Sequence, residues 1–442
     1  MLKSVITYVA LGLALLLLPG LLLEPLRPGE VPDGEAMIVD GPYTRHPDWG
    51  HHFNLSDYRE RAGELPPYAE SPMLARRVEA GELPPVQERL PGNPRVMIPG
   101  EYAGSSGGTL RYTEFSTRYD HYLRHLNKTP PLEPVTERGA RSPFCYIVNR
   151  AEPGIIEAWS VSEDATVYTL TLRDGLRWSD GVPVTTDDVD FFFNAVTFNE
   201  EVIPALPEHW RWGGRPVSLE ILGPRTFRLE FAQSYGAFLE YMTNMSWAHM
   251  ISPSHYMKRY HRDFTPMDEL GPNMEEHGYA TNEWGRFFLS IGGDGLDAGE
   301  FVPERMPRDH GYPTLGPWLH ISQPNPGDYV LERNPFYYKV DPEGRQLPYI
   351  DRVHRSYVSD IQIQNLKIMA SETDLQFQFI RMSDYPMFKR SELRGGLRAV
   401  LLPAWQDFML IYPMNVQPAD PRIRPILGDA RFRQALSLSL IH

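Results

Sequence analysis

Four aspartates lie close together after a tryptophan in one short stretch of the chain. In the segment TLTLRDGLRWSDGVPVTTDDVDFFFNAV, residues 169–196, Asp180, Asp187, Asp188 and Asp190 closely follow a tryptophan. Clustered carboxylates can bind calcium, but a calcium loop places oxygen ligands at alternate positions around a central glycine and ends in a glutamate. The alternating set of oxygen ligands around a central glycine does not follow Asp190. The spacing therefore argues against a calcium loop.

The same aspartates fit the start of a helix. Residues 167–172 alternate in the manner of a strand, and Ser179-Asp180-Gly181 is typical of a turn. Thr185 precedes Asp188 by three positions, which is the spacing of a capping box. Negative charge at this place also meets the positive end of the helix dipole. The pattern predicts a strand, a turn and a capped helix in which the aspartates are structural.

A serine and several histidines form weaker catalytic patterns. GSSGG, residues 104–108, matches the G-x-S-x-G sequence of serine hydrolases, with Ser106 as the nucleophile. A nucleophile elbow needs a helix after the serine, whereas the strand-like LRYTEF follows here. His249, His255 and His261 repeat every six residues, while zinc ligands on one helix face are three or four apart. The sequence therefore predicts a turn at Ser106, no metal site and no cofactor.

Composition and charge describe a folded, acidic protein. The chain has 442 residues, a formal net charge of −14, 42 prolines and a single cysteine, Cys145. Because one core rarely exceeds about 250–300 residues, two or more lobes are expected. The negative charge argues against nucleic acid as a partner, since that binding depends on clustered Lys and Arg. A single cysteine also excludes an intrachain disulfide.

The N-terminal region contains a predicted targeting segment, followed by a predicted tether. Residues 5–23, VITYVALGLALLLLPGLLL, are an apolar run with no obvious small-x-small cleavage site. We expect a signal peptide or a membrane anchor, which places the body in the periplasm or at the cell surface. Residues 24–106 are rich in proline and charge, and predict a tether or strap with one short helix. Ser71 is suited to cap that helix, Pro72 to begin it and Gly81 to end it.

The block at residues 157–196, EAWSVSEDATVYTLTLRDGLRWSDGVPVTTDDVDFFFNAV, resembles the family 5 extracellular solute-binding proteins. These are the oligopeptide- and dipeptide-binding receptors of ABC importers. Further blocks follow in the family's order: GGTLRY at 107, PRTFRLEF at 224, MISPSHYM at 250, LGPWLHISQPNPGDYVLERNPFYYKVD at 315, LPYIDRV at 347 and ARFRQALSLSL at 430. The resemblance covers roughly residues 107–442. It implies a binding protein and not an enzyme.

The resemblance implies a mixed α/β fold of the type II periplasmic-binding-protein class. Lobe I would hold residues 107–355, with an inserted subdomain at about 120–214, and lobe II would begin at residue 356. In the family much of lobe II follows the helix expected at the C-terminal end, which Asp429 can cap. We therefore expect an incomplete second lobe in a fragment or a prematurely ended chain.

A ligand cleft between two lobes is mostly apolar, and aromatic faces suit peptide side chains or sugar rings. The family's topology places the loop after the first strand at this cleft. Two further candidate segments contain a tryptophan and lie near the predicted ends of strands or helices. Trp318, in GPWLH, is expected in the core instead. The candidate ligand-binding residues are Glu114, Phe115, Tyr119, Trp247, Trp405 and Asp407.

These observations predict a monomeric receptor that captures a peptide or a similar small solute. It would deliver the solute to the membrane permease subunits of an ABC importer. Two alternatives stay open on the sequence alone. One is an extracytoplasmic serine-type hydrolase that uses Ser106, and the other is a membrane-tethered binding or sensory protein without transport.

Overall fold

The computed structural model describes residues 52–99, 103–115, 131–136, 148–243, 250–292, 311–376, 379–400 and 420–439. The chain divides into two units. The described residues of the larger unit lie between 52 and 135 and between 148 and 399. Those of the smaller unit are 136, 400 and 420–439.

Strands in the described residues form four sheets, with the orders β1-β2-β12, β10-β11-β13-β3, β4-β5 and β6-β7-β9-β8. The strands are β1 (His52–Asn54), β2 (Arg95–Met97), β3 (Thr109–Glu114), β4 (Leu132–Thr136), β5 (Val148–Pro153), β6 (Ile156–Val161), β7 (Val167–Leu172), β8 (Ser218–Ile221), β9 (Thr226–Glu230), β10 (Trp318–Ser322), β11 (Tyr329–Arg333), β12 (Lys339–Val340) and β13 (Arg352–Tyr357).

The helices lie between and after these strands. They are α1 (Leu55–Ala62), α2 (Pro72–Glu79), α3 (Val86–Arg89), α4 (Thr186–Asp190), α5 (Phe238–Tyr241), α6 (Ser254–Met257), α7 (Met267–Glu276), α8 (Trp284–Gly292), α9 (Ile361–Met369), α10 (Tyr385–Glu392), α11 (Arg424–Gly428) and α12 (Ala430–Ser439). α4 continues directly as a π-helix over Phe191–Thr197.

The antiparallel sheet β6-β7-β9-β8 supports the largest core. β7 alternates between buried and partly exposed residues, as its sequence predicts. Its buried face and the π-helix contribute to an aromatic-rich cluster that includes Tyr168, Phe193, Trp210, Phe227 and Phe238. Edge-to-face contacts, such as Phe193 with Trp210 at 4.8 Å between ring centroids, order this cluster.

The acidic segment folds as a strand, turns and a capped helix, which confirms the prediction. The Thr185 hydroxyl accepts a hydrogen bond from the backbone of α4, and the Asp188 carboxylate accepts one from the Thr185 backbone N–H at 3.1 Å. Asp180 lies in the turn and accepts a hydrogen bond from the Val182 N–H at 3.1 Å. The aspartates at these two positions are therefore structural.

Asp188 does more than cap α4. One oxygen of this buried carboxylate also accepts the indole N–H of Trp178 at 3.1 Å. The other oxygen accepts the backbone N–H of Ser254 at 3.0 Å and its hydroxyl at 2.7 Å. Burial raises the pKa of Asp188, while these hydrogen bonds act in the opposite direction. A single carboxylate thus joins the turn after β7, the start of α4 and the start of α6.

The N-terminal segment is held by its own small core. Leu55, Val86, Leu90 and Val96 are buried together with Val340 of β12, and β2 pairs in parallel with β12. α2 begins at Pro72 with the Ser71 hydroxyl accepting the Leu74 N–H, which confirms the predicted cap. The segment contains three short helices, whereas the sequence predicted one. The other two, α1 and α3, have no side-chain cap, so the sequence offered no capping signal for them.

Buried arginines fasten this segment to the rest of the larger unit. Arg173, which follows β7, donates to the Gly154 carbonyl at 2.8 Å and to the Asn54 side chain at 3.0 Å, and it also bonds the Asn93 carbonyl. Arg89 pairs with Glu70 at 2.8 Å and donates to the Pro335 carbonyl at 2.8 Å. Such side chains are stable in the interior only because each charge is paired or hydrogen-bonded.

Glu133 in β4 is a buried carboxylate that pairs with Lys339 and Tyr338. Its carboxylate lies 2.7 Å from the Lys339 ammonium and accepts the Tyr338 hydroxyl at 3.0 Å. Burial alone would raise the pKa of Glu133, but the positive charges of Lys339, His52 and Arg95 outweigh burial and lower it to about 2. The ion pair therefore stays charged throughout the physiological pH range.

The described residues of the smaller unit include two helices, α11 and α12. α12 spans Ala430–Ser439, as the sequence predicts. The Asp429 carboxylate accepts the backbone N–H of Arg431 at 2.9 Å, which confirms its expected capping role.

Asp188→Asn is expected to lower the free energy of unfolding by about 2–3 kcal/mol, because an amide cannot accept hydrogen bonds on both of its atoms and leaves a buried donor unsatisfied. Asp187→Asn is the control, since Asp187 is an exposed neighbour in the same helical turn. Urea denaturation measures both. Equal losses in the two variants would contradict the assigned role of Asp188.

Glu133→Gln is expected to cost about 3–5 kcal/mol at pH 7, because it leaves buried Lys339 without its counter-charge. The folded-state pKa of Glu133, about 2, lies below the ordinary value of 4.5. Its contribution is therefore complete above pH 4.5 and is lost as the pH falls towards 2. The stability difference between wild type and variant should narrow between pH 7 and pH 3 in urea titrations.

The matched control for Glu133→Gln is Glu220→Gln, whose carboxylate is 56% exposed and pairs with Arg228 at 2.6 Å. An exposed pair of this kind contributes less than about 1 kcal/mol. If the difference in the free energy of unfolding between wild type and Glu133→Gln does not change with pH, the ion pair is not the source of the effect.

Candidate ligand-binding site

Two of the predicted ligand-binding residues, Glu114 and Phe115, lie at the end of β3. β3 pairs in parallel with β13 over Thr109–Glu114 and Arg352–Tyr357. Its last residues are buried, and Glu114 is only 3% exposed. The Glu114 side chain turns back to accept the Phe115 N–H at 2.9 Å, while its carbonyl accepts the Val358 N–H at 2.9 Å. Glu114 thereby fixes the direction in which the chain leaves the sheet at Phe115.

The other edge of β3 is bonded to residues 374–376, largely through side chains. The Gln376 amide accepts the backbone N–H of Thr113 at 3.1 Å and its hydroxyl at 2.9 Å, and donates to the Thr113 carbonyl at 3.1 Å. Asp374 accepts the Arg111 backbone N–H at 2.7 Å and forms a bidentate ion pair with its guanidinium. We call these contacts the β3 clasp.

Phe379 lies near the end of β3, where it contacts Phe115. The rings of Phe379 and Phe115 meet edge-to-face, with centroids 4.8 Å apart and planes at 89°. Phe379 is 50% exposed, and its backbone is left-handed at φ +53°. A bulky residue in this conformation carries a cost of about 1–2 kcal/mol that glycine would not. The chain thus holds an aromatic ring in a strained and half-exposed position.

Glu114 and Phe115 lie at the end of β3, and their contact with a ligand stays a prediction. Tyr119, Trp247, Trp405 and Asp407 lie outside the described residues, so their placement in a cleft stays a prediction. Trp318 begins β10 and packs against the small cluster of Tyr112, Tyr329, Leu331 and Val353, which confirms its assignment to a core.

Sequence reasoning missed Gln376 and Phe379. The stretch TDLQFQFIR offered one signal, because alternating apolar residues are typical of a half-buried strand. No sequence pattern indicated which strand this stretch would bond to. None indicated that the backbone of Phe379 would be left-handed.

Ser106, His255 and His261 have structural roles, while His249 lies outside the described residues. Ser106 lies in a bend directly before β3, so a strand and not a helix follows it. Gly104 packs against the ring of Tyr349, where a Cβ would approach to 2.5 Å. His255 contacts Asp180 at 2.8 Å, and buried His261 contacts the Ala195 carbonyl at 2.9 Å. Within the described ranges, no cluster of His, Cys, Asp and Glu side chains is arranged to hold a metal ion.

A family model of the bacterial extracellular solute-binding proteins, family 5 (middle), matches residues 150–440. The chain belongs to this family. The match confirms the resemblance that the ordered sequence blocks indicate, and it spans β6-β7-β9-β8, β13 and α9.

Solved structures place the fold in the same class. The oligopeptide-binding protein OppA superimposes with a TM-score of 0.66 and 31% identity, over 87% of this chain and 57% of OppA. The periplasmic binding protein MelB of Agrobacterium fabrum C58, solved with stachyose, matches at a TM-score of 0.52 and 23% identity, over 75% of this chain and 46% of MelB. These matches confirm the mixed α/β, type II periplasmic-binding-protein fold.

Curated relatives carry similar descriptions. The periplasmic alpha-galactoside-binding protein of Rhizobium meliloti is 27% identical over 300 residues, which are 63% of this chain and 37% of that protein. A probable ABC transporter-binding protein of Deinococcus radiodurans is 22% identical over 377 residues, which are 83% of this chain and 56% of that protein. The chain thus spans about half the length or less of these relatives.

The predicted N-terminal signal or anchor, residues 5–23, lies outside the described residues. Among the helices that the structure does describe, none combines the length and the apolar character needed to cross a membrane.

Gln376→Ala is expected to lower the free energy of unfolding by about 1–3 kcal/mol, because the buried N–H and carbonyl of Thr113 lose their partner. Amide hydrogen exchange at Thr113 should accelerate by more than the change in global stability accounts for. Gln362→Ala, at an exposed position on α9, is the matched control. Unchanged protection of Thr113 would contradict the β3 clasp.

Proposed function

We infer that this family 5 protein is the solute-binding receptor of an ABC-type importer. The observation that carries the proposal is the family match over residues 150–440 together with the fold shared with OppA. In this proposal the protein captures a small solute and releases it to the membrane permease subunits. The body of the receptor works outside the cytoplasm as a monomer, and residues 5–23 direct its export or tether it.

The proposed receptor closes around its solute. Lobe I holds residues 107–355, with an inserted subdomain at about 120–214, and lobe II begins at residue 356. Contacts made to both lobes at once favour the closed state, and the segments that cross between the lobes absorb the rotation. The residues proposed to contact the solute are Glu114, Phe115, Tyr119, Trp247, Trp405 and Asp407.

A peptide is the proposed solute. OppA, at 31% identity, is an oligopeptide-binding protein by name, and the murein peptide-binding protein MppA of Escherichia coli is 36% identical over 78 residues. A galactoside is the competing solute, because the relative from Rhizobium meliloti is named for alpha-galactosides. A receptor for either solute works by binding and closure, with no covalent step.

The proposal is tested by thermal unfolding and small-angle scattering of the 442-residue protein with a panel of short peptides and galactosides. A ligand at about 100 times its Kd should stabilise the folded state by about 2.7 kcal/mol and raise the Tm. Closure should also reduce the radius of gyration. Ser106→Ala should show the same shift as wild type, because Ser106 lies in a structural bend. The absence of any shift across the panel would contradict the receptor function.

A further inference from the structure

A short sequence unit occurs twice in the N-terminal segment, residues 52–99. RERAGELPP, residues 59–67, and RVEAGELPP, residues 77–85, differ only at their second and third positions. The first copy lies at the end of α1 and the second at the end of α2. We call these two stretches the first and second copies of the repeated unit.

Both copies of the repeated unit fold alike. The glycine follows its helix with a left-handed backbone, at φ +87° for Gly63 and +75° for Gly81. The arginine of each copy pairs with the glutamate of the same copy, at 2.7 Å in the first and 3.3 Å in the second. Each copy thus ends a helix and leads into a Pro-Pro pair, which cannot continue that helix.

The Pro-Pro pair of the first copy packs against a turn at Gly344. A Cβ at Gly344 would come within 2.8 Å of the Pro66 carbonyl oxygen and 2.9 Å of the Pro67 carbonyl oxygen. Gly344 has a left-handed backbone at φ +75°, and its carbonyl accepts the Ala69 N–H at 3.0 Å. Only glycine therefore suits this contact.

Arg89 binds the second copy, and it also binds the residue that follows the first copy closely. Its buried guanidinium donates to the Pro84 carbonyl at 2.6 Å and pairs with Glu70 at 2.8 Å. It also donates to the Pro335 carbonyl at 2.8 Å and to the Gln346 side chain at 3.2 Å. One arginine thus satisfies oxygens of the N-terminal segment and of residues 335–346 at once.

Both contacts reach the residues between β12 and β13, which we call the 341–351 loop. Arg333, at the end of β11, donates to the Gln346 carbonyl at 2.9 Å and to the Asp351 carboxylate at 3.1 Å. The Tyr349 carbonyl accepts the N–H of Gly107, just before β3, at 2.8 Å. The 341–351 loop therefore connects the N-terminal segment to the starts of β3 and β13.

We propose that the N-terminal segment is a latch that fixes the 341–351 loop and thereby the start of β3. The repeated unit supplies the two attachment points of the latch, the first copy at Gly344 and the second at Arg89. The latch, the loop and the starts of β3 and β13 open as one cooperative unit, separately from the sheet β6-β7-β9-β8. The proposal goes beyond the receptor function and does not depend on it, because no solute takes part.

Gly344→Ala tests the first attachment point by hydrogen exchange and mass spectrometry of the full chain. The added methyl group displaces the Pro-Pro pair, so exchange in the peptides that contain Ala69 and Gly107 should accelerate about tenfold, while exchange in β7 stays unchanged. Gly395→Ala is the matched control, because Gly395 is also left-handed, at φ +84°, and a Cβ there meets open space. It should leave all three regions as in wild type.

Glu70→Gln tests the second attachment point with a milder change, which keeps the proposal testable if Gly344→Ala does not fold. It weakens the pairing with Arg89 and should accelerate exchange in the same two peptides about threefold or more, again without a change in β7. Glu64→Gln is the matched control, because it removes only the exposed ion pair with Arg59. It should change neither peptide.

Three outcomes would overturn the latch. Faster exchange in the Ala69 peptide alone would show that the N-terminal segment docks without fixing the start of β3. Equal acceleration in β7 would show global unfolding and no separate cooperative unit. Exchange in Gly344→Ala and Glu70→Gln that matches their control variants would show that neither contact holds the 341–351 loop.

Discussion

The parallel pairing of β3 with β13 is the constraint on which the rest of the larger unit depends. Parallel neighbours cannot be joined by a tight turn and need a crossover connection. Here the crossover is very long, because β3 ends at Glu114 and β13 begins at Arg352. The sheet β6-β7-β9-β8 and its aromatic core lie within that connection. The pairing thereby ties the end of β3, with Glu114 and Phe115, to residues that follow the main core.

Buried charge makes the same unit continuous towards the N-terminus. Arg173 reaches from the core to Asn54, and Arg89 reaches from the N-terminal segment to the Pro335 carbonyl. Guanidinium groups suit this task, since one side chain can satisfy several carbonyl and carboxylate oxygens at once. The proline-rich composition predicts a tether or strap with one short helix for this region, and loops alone would leave it loosely held. Arginine pairing instead makes residues 52–99 an integral part of the larger unit.

Local chemistry was predictable from the sequence, and distant pairing was not. The caps at Thr185 and Ser71 follow from side chains that bond to backbone two or three residues away, so a short window suffices to predict them. The partners Thr113 and Gln376 are 263 positions apart, and no pattern in either segment specifies the other. Asp188 shows both cases. Its capping bond was predicted, while its bonds to Trp178 and Ser254 depend on the tertiary fold.

The long connection between β3 and β13 also sets an order of events during synthesis. β3 emerges from the ribosome about 240 residues before its parallel partner. At about 5–20 residues per second, this strand waits roughly 12–50 seconds before pairing can begin. Its apolar residues Leu110 and Tyr112 are unprotected by β13 during that time. The sheet β10-β11-β13-β3 can therefore form only after the residues of the aromatic core have left the ribosome.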